Sequence, residues 1–527
     1  TEAITGTAAK QVRALARHMA RARAATLITQ SNFAKFYHGL EMERAQILVF
    51  ALCGQFGKKG SGVNGFPAMN LAGMATAIIS PGSLSPQAGA LVVAARMGPA
   101  FVKAKLRGDT DEMFIYEAIR EEYRNGGFLP GALFYMDHGG LADLYGGANR
   151  WDPHLKRPFS EYLKEAEAKG WQVRPSSAKP RIFFEVGGNI LRRTRGYDRL
   201  YESLLEKLDL LVTLDWRMSN TALYSDYVFP AAAWYEKNDI TWATPIAPFA
   251  HPTTRAVAPL GESKSDWAFH CVLLGAIQKR AKERGLSTFK DRSGKTRRLD
   301  RVYDELTFGG RYPEDGEEDF LREILEMTTN LGDIGWDELK EKGFARYTGV
   351  GLDFVSIGNA TDIEPNETIT ANTWHTEKKL PWPTLTRRMQ FYIDHPFYLE
   401  LGEELPVHKD PPAVGGDLPL RMTGQHPRHS IHASWRDDKL LLRLQRGEPI
   451  VVMSRKVTGT LRPGQLVVNH AWEPYQFKGR TSHQALIGSP INPISLAGGY
   501  FHLQPTPISG EAGTNDRATR VEVERLA

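Results

Sequence analysis

Cysteine is nearly absent. The chain of 527 residues carries only Cys53 and Cys271, and neither stands in a CxxC or CxxxC group. This stretch therefore offers no cysteine-ligated zinc or iron–sulfur site, and two lone thiols read as core residues. Long apolar runs are missing as well: ILVFALC (47–53) and the broken LVVAA near Leu91 fall far short of the ~20 residues of a membrane helix. No direct membrane span is expected. A dominant sign of charge is also lacking, since 66 Lys and Arg stand interspersed with 61 Asp and Glu for a net of +5. That balance asks for no nucleic-acid partner. No basic-plus-apolar leader opens the sequence, which starts on Thr1 in text that already reads as leading into a helix, so a processed or truncated start is expected.

What is there suffices for several cores: 42% of the residues are hydrophobic, and the length suggests three or four domains. VRALARHMA has Val12, Leu15, Ala16 and Met19 at helical spacing, with Thr7 as candidate cap. ATLIT reads as a strand, followed by AKFYHGLEMER (34–44), an apolar helix, and the glycine-rich GQFGKKGSGVNGF. Residues 111–175 read as helices with polar loops. RIFFEVGGN, LYESLLEKL and LLVTLD form a βαβ unit whose continuous apolar strands suit a parallel sheet buried on both faces. From 276 to 345 the text is charged and helical, without a strand pattern. Proline-rich stretches lead into PLRMTG, EPIVVMS, QLVVNH and TRVEVERL, short strands expected to form a barrel. Four segments follow: 1–175, an α/β domain; 176–275, an α/β dinucleotide-binding domain; 276–415, an excursion and linker; and 416–527, a β-rich C-terminal domain.

Two glycines at the end of a strand, Gly187 and Gly188 before Asn189, let a backbone approach a phosphate and present N–H groups to it. The plain alternative is an ordinary strand-to-helix turn, because GGN is not GxGxxG. Asp215 ends the next strand, where α/β folds reach a nucleotide's ribose or base, and its carboxylate can accept two hydrogen bonds from a guanine edge. Its plain alternative is a helix-capping aspartate. In AKFYHGLEMER, Lys35 can snorkel to solvent and His38 can be satisfied in the core.

VGGN, TALYSDYVFPAAAWYEKND (221–239) and HPTTRAVAPLGESKSDW (251–267) together resemble the molybdopterin oxidoreductases of the dimethyl sulfoxide reductase superfamily. This chain has Ile190, Ser225 and Phe229 where that pattern has Pro, Ala and Leu. TGTAAKQVRALARHMA and LCGQFGKKGSGV resemble the family's active-site approach and glycine-rich loop, and TGQHPRHSIHASWRD (423–437) and NPISLAGGYFHL (492–503) its C-terminal pterin-dinucleotide domain. The resemblance implies a multi-domain fold with Rossmann-like parallel sheets and a C-terminal β-barrel. Cofactor contacts are then expected at Gly187, Gly188, Asn189, Asp215, Thr221 and Asp226, and at Thr423, Gly424, His426, His432, Ser434 and Asn492, while His429 and His502 read as solvated or capping groups. The family's N-terminal part, with a His/Cys set for a [4Fe–4S] cluster and an aspartate ligand to molybdenum, has no counterpart here, so no metal ligand is expected in this segment. The strand-turn segment expected between Lys456 and Val457 is also missing.

Within the family the chain resembles the nitrate reductase branch with its selenate, chlorate, perchlorate and hydrocarbon-oxidising relatives. A lysine at position 35 resembles the branch of ethylbenzene and steroid C25 side-chain dehydrogenases. On that ground the expectation is a catalytic α-subunit portion carrying molybdenum bis(molybdopterin guanine dinucleotide), hydroxylating an alkyl-aromatic or sterol side chain without O₂ and with water as oxygen source. Lys35 is the expected catalytic cation and His38 its neighbour. The alternatives are an oxyanion reductase for nitrate, selenate, chlorate or perchlorate, and a non-catalytic scaffold relative of a respiratory complex. An apolar funnel favours the first reading and positive charge the second; Phe33, Phe36, Tyr135, Trp151 and Trp242 are the candidate apolar lining. The resemblance further implies an iron–sulfur β-subunit, a haem b γ-subunit and a periplasmic location.

Overall fold

The computed structural model describes residues 1–29, 35–64, 71–77, 85–124, 131–241, 247–291, 294–351, 353–444, 447–453, 464–500 and 517–524. Phe33, Trp242, His502 and the Lys456–Val457 junction lie outside the described residues. The contacts gather the chain into two units that interleave along the sequence. One comprises Thr1–Gln30, Arg44–Ile119 and Ala231–Gln390; the other comprises Ser31–Glu43, Arg120–Pro230 and Phe391–Ala527.

In the first unit the expected strand is Thr26–Ile28, paired in parallel with Gly62–Asn64 from the glycine-rich loop. The helix Ala9–Arg21 starts one residue later than Thr7 would set it: Ala8 is the cap residue and offers no side-chain bond. Instead the Glu2 carboxylate accepts from Ala9 N at 2.9 Å, a substitute acceptor for an orphan helix N–H. A core around Trp336, Leu339, Tyr347 and Ala250 backs an antiparallel sheet of Ala345–Arg346, Phe249–Thr253 and Asp239–Thr241. The charged excursion is not purely helical, because Thr288–Lys290 and Thr296–Arg298 pair as a hairpin. Those strands are short and mostly exposed, so their sequence carries no burial alternation.

The second unit contains the βαβ unit as expected. Strands Ile182–Val186, Leu210–Asp215 and Tyr227–Pro230 pair in parallel, in that order. Leu211, Val212 and Leu214 are buried, whereas Ile182, Phe184 and Val186 are 56%, 43% and 42% exposed. Continuous apolar text therefore marks double-sided burial only for the central strand. The C-terminal strands also form, as a four-stranded mixed sheet in which Leu420–Gln425 and Gln465–Asn469 run parallel at the centre, flanked by Arg520–Val521 and Val451–Met453. That sheet is what the described residues give of the expected barrel. The largest core of the unit packs Tyr145, Tyr162, Leu133, Phe397 and Tyr398 with Ile494 and Leu496. No described helix is long and apolar enough to cross a membrane.

A cation-rich candidate cofactor site

All the side chains below belong to the second unit. The strand Ile182–Val186 ends in Gly187, whose φ of 62° is a left-handed conformation that favours glycine. Its N–H donates to the Leu214 carbonyl at 3.0 Å, fixing the turn to the neighbouring strand. Asn189 follows, and both ends of its amide are bonded within the chain. The Nδ2 group donates to both oxygens of Glu473 at 2.9 Å. Its Oδ1 accepts from Thr221 N at 3.2 Å and from Thr221 Oγ1 at 3.0 Å. Both ends of the amide are thus bonded within the chain, so the Asn189 side chain serves as a staple between loops. Asp215, at the tip of the next strand, accepts from Trp216 N at 2.8 Å, and burial raises its pKa.

Around this staple lies an excess of buried positive charge. Arg217 donates to Glu473 Oε1 at 2.8 Å. Burial lowers the pKa of Arg192, and Arg217, Arg193 and Arg195 lower it further, with the Glu473 charge opposing them. The Arg192 Nε is buried without a hydrogen-bond acceptor. Arg436 is fully buried over the Trp472 ring, 4.3 Å from its centroid, and burial with the Arg192 charge brings its pKa down to about 10. Burial and the Arg195 charge push His483 down to about 4.

Three histidines gather nearby. The ligating nitrogens of His426, His432 and His470 lie within 4.8 Å of one another, and His470 Nε2 is 3.3 Å from His432 Nδ1. Such spacing could hold one metal ion, but the field is wrong for a cation. Burial, the His426 and His432 charges, Lys35 and Arg517 push His470 down to about 3. Burial, Lys35 and Arg517 lower His426, and burial, His426, Lys35 and Arg192 lower His432. Neutral imidazoles ringed by lysine and arginine suit an electron-rich or anionic group better than a divalent cation.

The structure thus brings Lys35 into the field of His426 and His432, and Asn189 against Thr221. His38 stands in a different network. Its Nδ1 is 3.4 Å from the Asn492 amide and 3.7 Å from Glu403 Oε1, beside the Tyr37 hydroxyl bonded to Asp152 at 2.9 Å. Burial pushes His38 down to about 4. Asn492 also donates to the Tyr37 carbonyl at 3.1 Å and caps Ile494 N. Asp226 accepts from Leu211 N at 2.7 Å on the strand edge. Thr423 and Gly424 pair with Val467 and Val468 inside the sheet, while His429 and Ser434 are exposed. Tyr135 packs against core side chains, and Arg150 lies 4.4 Å over the Trp151 ring. Phe36 and Lys35 border a cavity of about 10 Å³.

Glu473, Arg192, Arg195, Arg217, Arg436, His470, His483 and Arg517 escaped the sequence reading. The signals were RRTRG after the glycine turn, Asp-Trp-Arg at the end of the next strand, and NHAWEP at the end of Gln465–Asn469. The fit of a dinucleotide rests on this donor set: buried and half-buried guanidinium groups outnumber the buried carboxylates of Glu473 and of Glu185 against Gly188, and leave positive charge for phosphates to balance.

The family described as molybdopterin oxidoreductase matches residues 8–276. The chain is 33% identical to the respiratory nitrate reductase subunit alpha of Haloferax mediterranei over 75% of this chain and 44% of that protein. It is 29% identical to the chlorate reductase subunit alpha of Ideonella dechloratans over 100% of this chain and 56% of that protein. With the dimethylsulfide dehydrogenase subunit alpha of Rhodovulum sulfidophilum it shares 28% identity over 95% of this chain and 53% of that protein. The chain spans about half the length of these relatives.

Proposed function

This chain belongs to the molybdopterin oxidoreductase family, and from that premise we propose that it is catalytic-subunit sequence of a molybdenum enzyme that reduces an oxyanion of the nitrate or chlorate type. The observation that carries the reading is the cluster of Arg192, Arg195, Arg217 and Arg436, with Lys35 and Arg517 beside three neutral histidines. When bound, the molybdenum–pterin dinucleotide supplies two-electron oxygen-atom transfer. The arginines would balance its phosphates, and the turn would offer them the Gly188 N–H, that of Gly187 being bonded to Leu214. Asp215 would accept hydrogen bonds from a guanine edge. Neutral His426, His432 and His470 donate or accept hydrogen bonds without adding charge, and Lys35 lends a positive field that attracts an anion and steadies negative charge during reduction.

Two of the relatives above are named for reduction of nitrate and chlorate, which favours the oxyanion. The hydrocarbon reading rests on Lys35; of its proposed apolar lining, Tyr135 packs in a core and Phe33 and Trp242 lie outside the described residues. Two guanine dinucleotides, a [4Fe–4S] cluster on sequence outside this chain, an iron–sulfur β-subunit with a haem b γ-subunit, and a periplasmic location complete the proposal, on the strength of the resemblance.

The test is turnover by the assembled enzyme under anaerobic conditions. Reduced viologen should be oxidised by chlorate, nitrate or selenate in proportion to molybdenum content. Inertness toward all three, with ferricenium-coupled conversion of ethylbenzene or a sterol to ¹⁸O-labelled alcohol in labelled water, would reverse the choice.

A further inference from the structure

We propose that Glu473 is the positioning residue of the dinucleotide site: its carboxylate assembles the glycine turn, the Asn220–Thr221 segment and the arginine cluster into one anion-binding surface. The inference rests on the cofactor reading above. Glu473 is fully buried, and a buried carboxylate persists only with strong partners. It has them from two loops. Asn189 Nδ2 donates to both oxygens at 2.9 Å, Arg217 Nη2 donates to Oε1 at 2.8 Å, and Asn220 N donates to Oε2 at 3.2 Å. The glycine turn after Ile182–Val186 and the loop after Leu210–Asp215 are thereby tied to the loop after Gln465–Asn469, whose residues lie 253 to 284 positions away.

The carboxylate also governs charge. Of the groups acting on Arg192, Glu473 favours the cation, while burial and the charges of Arg217, Arg193 and Arg195 oppose it. On Arg217, burial lowers the pKa, and the charge and hydrogen bond of Glu473, with Asp437 and Asp215, raise it overall. The fully buried Glu473 carboxylate among several guanidinium groups holds them close without neutralising them all. The Glu473 backbone is itself held, since its N–H donates to Gln476 Oε1 at 3.0 Å. Because the Asn189 amide is held by Glu473 and Thr221, the turn reaches a phosphate through its backbone, and Glu473 sets where that backbone stands.

The experiment measures acid-released guanine nucleotide and molybdenum per chain in the purified assembled enzyme as wild type, Glu473→Gln, Asn189→Ala and Arg217→Gln. Glutamine keeps the size of the side chain, so a packing role alone survives that change. It places an amide donor against the Asn189 and Arg217 donors, however, and nucleotide retained through dialysis should fall at least about tenfold. Asn189→Ala should fall in the same direction, which keeps the test open if the Gln variant fails to assemble. Glu473→Gln combined with Arg217→Gln should lose less than the sum of the two single changes, as expected of a coupled pair. Unchanged nucleotide in both Glu473→Gln and Asn189→Ala would overturn the proposal. A wild-type enzyme with molybdenum but no guanine nucleotide would instead overturn the dinucleotide reading beneath it.

Discussion

The Tyr37 hydroxyl donates a 2.9 Å hydrogen bond to Asp152 Oδ2 across 115 residues of sequence. Burial, helped by the charge and hydrogen bond of Asp152, raises the Tyr37 pKa, so the phenol stays a proton donor. This buried bond anchors the segment that carries Lys35. It separates what Tyr37 does for stability from what Lys35 does for chemistry.

Tyr37→Phe should cost about 1–3 kcal/mol of stability, because Asp152 keeps the Asp152 Oδ1 bond to His154 N but loses its buried phenol donor. The urea midpoint of the assembled enzyme should drop with its slope unchanged, and turnover per molybdenum should stay near wild type. A large fall in turnover at unchanged stability would mean that Tyr37 touches the reaction.

Lys35→Met should act the other way. The Lys35 charge helps lower His426, His432 and His470, so removing it should move their imidazole titrations upward in NMR while stability changes little. Oxyanion turnover should fall at least about tenfold if the charge assists reduction. Unmoved histidine titrations would show that Lys35 lies outside their field.

Asn189→Asp should be severely destabilising. It sets a second carboxylate against the fully buried Glu473 in place of a donating amide, and breaking a buried polar pair in this way costs roughly 3–5 kcal/mol. Thermal unfolding of the cofactor-free enzyme should occur well below wild type, with Asn189→Ala between them.

Acid should loosen the cofactor-free protein before the loaded one. Burial and neighbouring cations hold His470 at about 3 and His483 at about 4, and burial holds His38 at about 4, against 6.5 for an ordinary histidine. The unfolded chain therefore binds protons first as pH falls below 6.5, and the stability due to neutral imidazoles, complete above that pH, is lost progressively down to about 3. Phosphates bound beside His470 and His483 would raise their folded values and shrink the loss. Urea midpoints from pH 7 to pH 4 should fall more steeply without cofactor than with it.

The local parts of this fold were legible in sequence. Apolar strands ending in GGN and Asp215 gave the βαβ unit, and alternating short strands gave the C-terminal sheet. What stayed hidden depends on distant partners. Asn189 reads as a ligand contact until its amide is seen engaged by Glu473 and Thr221. His38 reads as a catalytic neighbour of Lys35 until Asn492 and Glu403 are found against it. The arginine cluster is spread over RRTRG, Asp-Trp-Arg and the loop at Arg436, and no local pattern announces that these meet. The substrate class proposed above turns on the same point: a single lysine suggests a hydrocarbon, whereas the cationic surroundings support the proposed anion.

The most direct test is an experimental structure of the cofactor-loaded, assembled enzyme. Pyrophosphate density is expected within hydrogen-bonding distance of the Gly187–Gly188 turn and of at least one of Arg192, Arg195 and Arg217, with pterin density against His426, His432 and His470 and no metal ion among them. Dinucleotide density away from the arginines, or a metal ion held by the three histidines, would contradict that expectation.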